Sequence, residues 1–120
     1  MTVHSSKGLE FESVFITGME ENLFPHSNSQ GEQSLIEEER RLMYVALTRA
    51  KSNLYISCSE ERLIHGQRNR FIKSRFLKEI PSKLFLRLNW CLYMKNPKQL
   101  FNSFLLKYII KNKKPIVALD

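Results

Sequence analysis

The sequence predicts an α/β fold, an incomplete piece of a parallel sheet with covering helices. Three observations carry this. A β-branched apolar run, a long amphipathic helical pattern and a second β-branched run follow one another, the rhythm of a βαβ unit. The chain has 120 residues, enough for one small domain. Two strands and one long helix are too few elements for a full α/β domain, so the sequence reads as part of one.

The elements follow in order. Val3 is read as the close of a strand that begins upstream. Ser13-Val-Phe-Ile-Thr17, bounded by Gly18, reads as a buried strand. Residues 18–31, with Gly18, Pro25 and Gly31, read as a surface loop. From Glu32 to Lys51 the pattern is helical, with Leu35, Leu42, Met43, Ala46, Leu47 and Ala50 on one stripe. Ser34 is the expected N-cap, with Glu37 as its capping-box partner. Acids crowd the first turns, and Arg49 and Lys51 lie in the last, as the helix dipole prefers. Asn53-Leu-Tyr-Ile-Ser-Cys58 reads as the second strand, and Ser74 to Ile80 as a short helix stopped by Pro81.

The character changes after Pro81, and a boundary is placed at 81/82. The net charge of +7 is unevenly spread. Residues 1–81 hold 11 Lys+Arg and 11 Asp+Glu, whereas residues 82–120 hold eight Lys+Arg and the single acid Asp120. The last stretch has no Gly and is rich in Leu, Lys, Asn, Phe and Ile. It reads as a basic apolar tail, helical or disordered. Its open interpretations are a frameshifted product, an arm for nucleic acid, an amphipathic surface helix or a folded extension.

Several classes are excluded. Cys58 and Cys91 stand 33 apart without C-x-x-C spacing, which gives no metal signature and suits a reducing cytoplasm. His26 and His65 show no ligand spacing and read as surface residues. No segment has the apolar core of a signal peptide or the ~18–20 apolar residues of a membrane span. Phe11, Phe15 and Phe24 read as core or loop anchors.

Two segments carry chemistry. In Thr2-Val-His-Ser-Ser-Lys-Gly-Leu-Glu10, Lys7 offers a mobile cation for phosphate oxygens and Gly8 lets backbone approach a ligand closely. Glu10 offers two acceptors suited to ribose hydroxyls, and Thr2 and His4 can donate to a phosphate backbone. The same residues also make an ordinary polar turn. In Glu37-Glu-Glu-Arg-Arg-Leu-Met-Tyr-Val-Ala-Leu-Thr-Arg-Ala-Lys51, Arg49 falls on the core-facing stripe, where a permanent charge needs an anion. The acids of its own helix are too far along the chain, which leaves a carboxylate from another segment or a phosphate. Residues 37–41 read as a charged, solvated face.

These blocks, together with Val14-Phe-Ile-Thr-Gly-Met-Glu-Glu-Asn-Leu-Phe-Pro-His26 and Ser74-Arg-Phe-Leu-Lys-Glu-Ile-Pro81, occur in an order that closely resembles the C-terminal part of UvrD/PcrA/Rep-type superfamily 1 DNA helicases. The resemblance spans residues 2–81. It implies part of a second RecA-like domain of the P-loop NTPase type, and a parent activity of ATP-dependent 3′-to-5′ DNA unwinding. It implies that Arg49 is the arginine finger of motif VI. Lys7, Gly8 and Glu10 would be ATP-proximal residues of motif V, Thr2 and His4 would lie near single-stranded DNA, and Arg41 and Tyr44 would couple the ATP state to domain closure. The implied cofactor is ATP with Mg²⁺. The implied partners are single-stranded or partly duplex DNA and a separate N-terminal helicase portion. No G-x-x-x-x-G-K-[ST] occurs in the 120 residues, so the chain alone is expected to lack ATPase activity and to be without Mg²⁺ ligands. A separately encoded subunit of a split motor and a non-enzymatic nucleic-acid-binding module are the alternatives.

Overall fold

The computed structural model describes residues 1–88 and 91–97. Strand β1 (Phe11–Ile16) leads through a long loop to helix α1 (Gln33–Thr48), which feeds directly into β2 (Ala50–Ser57). A hairpin of β3 (Glu61–Ile64) and β4 (Gln67–Arg70) follows, then a 3₁₀ turn at Arg75–Glu79, and finally β5 (Leu86–Leu88) and β6 (Cys91–Lys95). The main sheet has the order β1-β2-β6-β5, and β3-β4 forms a separate two-stranded ribbon.

β1 and β2 pair in parallel, with Val14 opposite Leu54 and Phe15 opposite Tyr55, so the βαβ reading holds. The sheet as a whole is mixed, because β6 runs antiparallel to β2 and β5 antiparallel to β6. The purely parallel expectation is corrected there. These two strands lie beyond the expected 81/82 boundary. Leu84 to Met94 alternates only briefly, at Leu86-Arg87-Leu88, and pairing of β6 with β2 and of β5 with β6 is what selects extended backbone. The remaining tail expectations fall on residues 98–120 and lie outside the described residues.

Alternation along the strands sorts side chains by face. Val14, Ile16, Leu54, Ile56, Leu92 and Met94 point inward, where they meet Ile36, Met43, Ala46 and Leu47 of α1, with Met19, Phe76 and Ile80 closing the end. Phe15 does not join them. It is 69% exposed on the opposite face and stacks on Tyr55, with ring centroids 4.4 Å apart and planes 5° apart.

The buried stripe of α1 is rotated slightly from the one expected. Leu35 is 39% exposed, while Ile36 and Arg40 are buried. The helix start also differs. Glu32 occupies the N-cap position without a side-chain cap, and the Ser34 hydroxyl donates to the Glu32 carboxylate at 2.6 Å. Val3 is in helical rather than extended conformation, at the start of the 3₁₀ turn His4–Ser6.

The solvated-face reading of residues 37–41 fails at Arg40. Its guanidinium pairs with Glu79 at 2.8 Å, also with Glu37, and lies 5.5 Å from the Phe76 ring centroid. Burial works against this charge, but the bonds to Glu79 and Glu37 outweigh it and raise the pKa above the ordinary arginine value.

The 18–31 loop is likewise partly internal. Met19 and Glu20 are fully buried, and Pro25, in a cis peptide after Phe24, is buried too. The Glu20 carboxylate accepts from Arg62 Nε at 2.7 Å, Arg62 Nη2 at 2.9 Å and the Ser59 N–H at 2.6 Å. Glu21 pairs with Arg75 at 2.9 Å. A loop held this way acts as a strap between the sheet, the hairpin and the Arg75–Glu79 turn. Among the described residues, no helix is long and apolar enough to cross a membrane.

Candidate functional site

The two chemistry-bearing segments meet at the end of the sheet where β1 and β2 begin. β1 is entered from the Thr2–Glu10 turn and β2 from the C-terminus of α1, so their parallel pairing sets turn and helix end side by side. The Phe11 N–H donates to the Arg49 carbonyl at 2.8 Å, which starts the ladder. The Arg49 side chain makes a second link. Its Nη1 donates to the Leu9 carbonyl at 2.9 Å, Nε to the Val45 carbonyl at 3.1 Å and Nη2 to Thr48 Oγ1 at 3.1 Å.

Arg49 is therefore the C-cap residue of α1, half-buried, with three oxygen partners. The sequence reading asked for an anion, either a carboxylate of another segment or a phosphate. Among the described residues no carboxylate forms an ion pair with it. One carbonyl of the helix's last turn, the Thr48 hydroxyl and one carbonyl from the neighbouring turn hold the fork instead. Arginine has five N–H donors. Three are occupied, which leaves two, one on each terminal nitrogen, for an oxyanion.

The turn itself is built by short polar side chains. Ser6 is buried and its hydroxyl donates to the Val3 carbonyl at 2.7 Å. The Ser5 hydroxyl donates to the Thr2 carbonyl at 2.9 Å, and the Thr2 hydroxyl donates to Ser5 Oγ at 3.1 Å. Gly8 has φ +80°, and a Cβ built there would meet nothing within 4 Å, so backbone at this point is open to an incoming group. Thr2, His4, Lys7 and Glu10 are all exposed.

Tyr44 is half-buried on α1. Burial raises its pKa, while the Arg49 charge pulls it down, which places the phenol within electrostatic reach of the guanidinium. Arg41 is exposed and forms an ion pair with Glu38 one turn back. Lys7, Gly8, Glu10, Tyr44 and Arg49 thus gather at one end of the fold, with Thr2 and His4 on the adjoining turn. Arg41 is held outward by its own helix.

Sequence reasoning missed the Leu9 carbonyl and the Thr48 hydroxyl as the groups that orient Arg49. Neither carries a side-chain signal at that distance in sequence, and only the parallel register brings residue 9 to residue 49. Among the described residues, no cluster of three or more His, Cys, Asp or Glu side chains forms that could hold a metal.

Comparisons with known proteins agree on one group. Residues 1–61 match the UvrD-like helicase C-terminal domain. The chain is 49% identical over 89 residues to the ATP-dependent DNA helicase PcrA of Bacillus subtilis, a match covering 74% of this chain and 12% of that protein. It is 53% identical over 87 residues to PcrA of Staphylococcus aureus, covering 70% and 12%. It is 52% identical over 81 residues to DNA helicase II of Haemophilus influenzae, covering 68% and 11%. The chain spans about 12% of the length of these curated relatives.

Proposed function

The chain belongs to the UvrD-like helicase C-terminal domain family, and from that premise we propose that it supplies the arginine-finger side of a helicase ATP cleft and part of a single-stranded DNA track. The observation that carries this reading is the fork of Arg49, tied to the Leu9 carbonyl beside Lys7, Gly8 and Glu10. An exposed lysine, an open glycine backbone and two unoccupied guanidinium N–H groups suit phosphate oxygens. The Glu10 carboxylate suits ribose hydroxyls.

A bound nucleotide would bring the phosphoryl group to be transferred. This chain's share is electrostatic: Arg49 holds a fixed positive charge toward developing phosphate charge, and Lys7 adds a mobile one. Because Val45, Thr48 and Leu9 already orient the fork, little rearrangement is needed when charge develops. A finger of this kind is worth roughly 10³–10⁵ in rate. Tyr44, next to Arg49, is placed to sense its position along α1. Arg41 would act from the outer surface of the same helix. Thr2 and His4 extend the polar edge toward a nucleic-acid backbone. The residues that would ligate Mg²⁺ are assigned to the partner portion of the motor.

Alone, the chain is proposed to be inactive, because its 120 residues hold no G-x-x-x-x-G-K-[ST] loop to cradle the β- and γ-phosphates. The test is complementation. ATP hydrolysis stimulated by single-stranded DNA should appear when the chain is combined with a helicase portion carrying a P-loop, and Arg49→Ala should abolish it. Turnover by the isolated chain that depends on Arg49 would overturn the claim of inactivity. Turnover in the complex that survives Arg49→Ala would overturn the finger.

A further inference from the structure

The main chain of Arg49 is fixed on both sides. Its N–H donates to the Ala46 carbonyl at 3.3 Å, three residues back, and its carbonyl accepts from the Phe11 N–H at 2.8 Å. Ala50, the next residue, is buried and already opens β2. What is left to settle is the side chain, a long one with several rotatable bonds. The tightened last turn of α1 matters here too. In a continuing α-helix the Arg49 N–H would take the Val45 carbonyl, four residues back. Its turn to Ala46 frees that carbonyl for side chains.

Two side chains use it. The Thr48 hydroxyl donates to the Val45 carbonyl at 2.9 Å, and Arg49 Nε donates to the same oxygen at 3.1 Å. A threonine hydroxyl has one proton and two lone pairs. With the proton committed to Val45, a lone pair is left for Arg49 Nη2, which donates to Thr48 Oγ1 at 3.1 Å. Carbonyl, hydroxyl and guanidinium thus close a ring. An uncommitted hydroxyl could rotate its proton toward the cation, and the bond to Val45 prevents that. Branching at Cβ makes the threonine side chain stiff, which keeps Oγ1 in place over the carbonyl three residues back.

The Leu9 and Val45 oxygens that hold the fork are main-chain atoms, present whatever side chains the sequence places there. Among the described residues, Thr48 supplies the one side-chain oxygen that bonds it. We propose that Thr48 is a positioning residue for Arg49: its hydroxyl fixes the plane of the guanidinium, so that the two unbonded N–H groups meet an oxyanion in one orientation. That the oxyanion is a phosphate rests on the functional reading above; the fixed plane does not. A charge placed in advance stabilises developing charge without reorganising when the reaction occurs, so the effect belongs in the transition state and not in nucleotide binding.

Thr48→Val keeps the volume and the branch and removes the oxygen, whereas Thr48→Ser keeps the oxygen and loses the branch. In the full 120-residue chain, isotope-labelled, NMR of the Arg49 side chain reads the rotation of the guanidinium about its Cζ–Nε bond. Thr48→Val should speed this rotation about 10-fold, the loss expected for one hydrogen bond to a charged group. Thr48→Ser should stay within about threefold of the parent. The exposed Arg68 should be unchanged in both and serves as the control. Circular dichroism checks folding; should Thr48→Val fail to fold, Thr48→Ala removes the same oxygen without adding a methyl group, and the same release is expected. In the ATPase assay with a helicase portion carrying a P-loop, Thr48→Val should lower kcat about 10-fold at unchanged KM for ATP, and Thr48→Ser should restore it. Equal Arg49 rotation in the parent and Thr48→Val overturns the proposal. So does ATPase that needs Arg49 yet runs at the parent rate in Thr48→Val; the finger then stands without its positioner. ATPase that survives Arg49→Ala, with rotation still released by Thr48→Val, upholds the fixed plane and refutes the finger.

Discussion

Replacing Arg49 by Lys keeps the charge and removes the fork, so it divides the structural work of this residue from its proposed catalytic work. In the folded chain the guanidinium donates to Leu9, Val45 and Thr48. The group is half-buried, and water can replace each partner, so each bond sits at the low end of the usual range, about 0.5 kcal/mol. A lysine ammonium can reach one of the three, and the expected loss of folding stability is about 1 kcal/mol. The loss in rate should be far larger. A finger worth at least ~10³ corresponds to about 4 kcal/mol of transition-state stabilisation. Urea denaturation of the isolated chain measures the first quantity, and single-strand-stimulated ATP hydrolysis in the complemented complex measures the second. If Arg49→Lys hydrolyses ATP within about threefold of the parent, or if stability falls by more than about 3 kcal/mol while activity per folded molecule is kept, Arg49 is a structural tie and the finger reading is wrong.

Other expectations concern the parts that hold the site in place. Arg62→Ala leaves the Glu20 carboxylate, 0% exposed, with only the Ser59 N–H. Because Arg62 itself is about a third exposed, the usual penalty for breaking a buried pair is reduced to about 2 kcal/mol at pH 7, read from denaturant midpoints. Burial raises the pKa of both Glu20 and Glu21, but Arg62 with the Ser59 N–H, and Arg75, outweigh it and hold both below the ordinary 4.5. Their stabilisation is therefore full above that value and drains away as pH falls through the lowered folded-state pKa. An acid titration followed by circular dichroism should show the parent losing stability in that window, with the Arg62→Ala deficit shrinking there. Arg40→Ala opens a hole beside Phe76 and removes the ion-pair partner of Glu79, costing about 3 kcal/mol, whereas Arg40→Met should recover more than half of it by filling the space. Gly8→Ala meets no neighbour but forces an L-residue to φ +80°, a cost of about 1 kcal/mol measurable by thermal unfolding.

The βαβ frame was legible because its signals are local. A β-branched run and a helical stripe of apolar residues declare themselves within a few positions, and β1, α1 and β2 fall where those patterns lie. What escaped was decided by distant partners. Glu20 looks like any loop acid until Arg62 reaches it from 42 residues away. Arg40 sits in a run of charges, and only the Phe76 ring and Glu79 make it an internal residue. Phe15 looks like core because the sequence cannot say on which face of the sheet it will stand. β5 and β6 are too short to declare themselves and become strands through pairing, β6 with β2 and β5 with β6. The Leu9–Arg49 bond needs the strand register, which no periodicity encodes.

Tyr93 donates to Asn53 across 40 residues of chain, at 2.9 Å, and the strand it belongs to closes the far side of β2. During synthesis β1, α1 and β2 emerge as one uninterrupted stretch and can assemble as they appear. β6 follows only after the ribbon, the 3₁₀ turns Arg75–Glu79 and Ser82–Leu84, and β5. At translation rates of about 5–20 residues per second, that gap leaves β2 unpartnered on one side for about 2–8 s. For this interval the nascent chain has an open strand on both flanks of its parallel pair. The order of the polypeptide thus builds a period of vulnerability into every molecule made, one that a chaperone or a waiting binding partner would have to bridge.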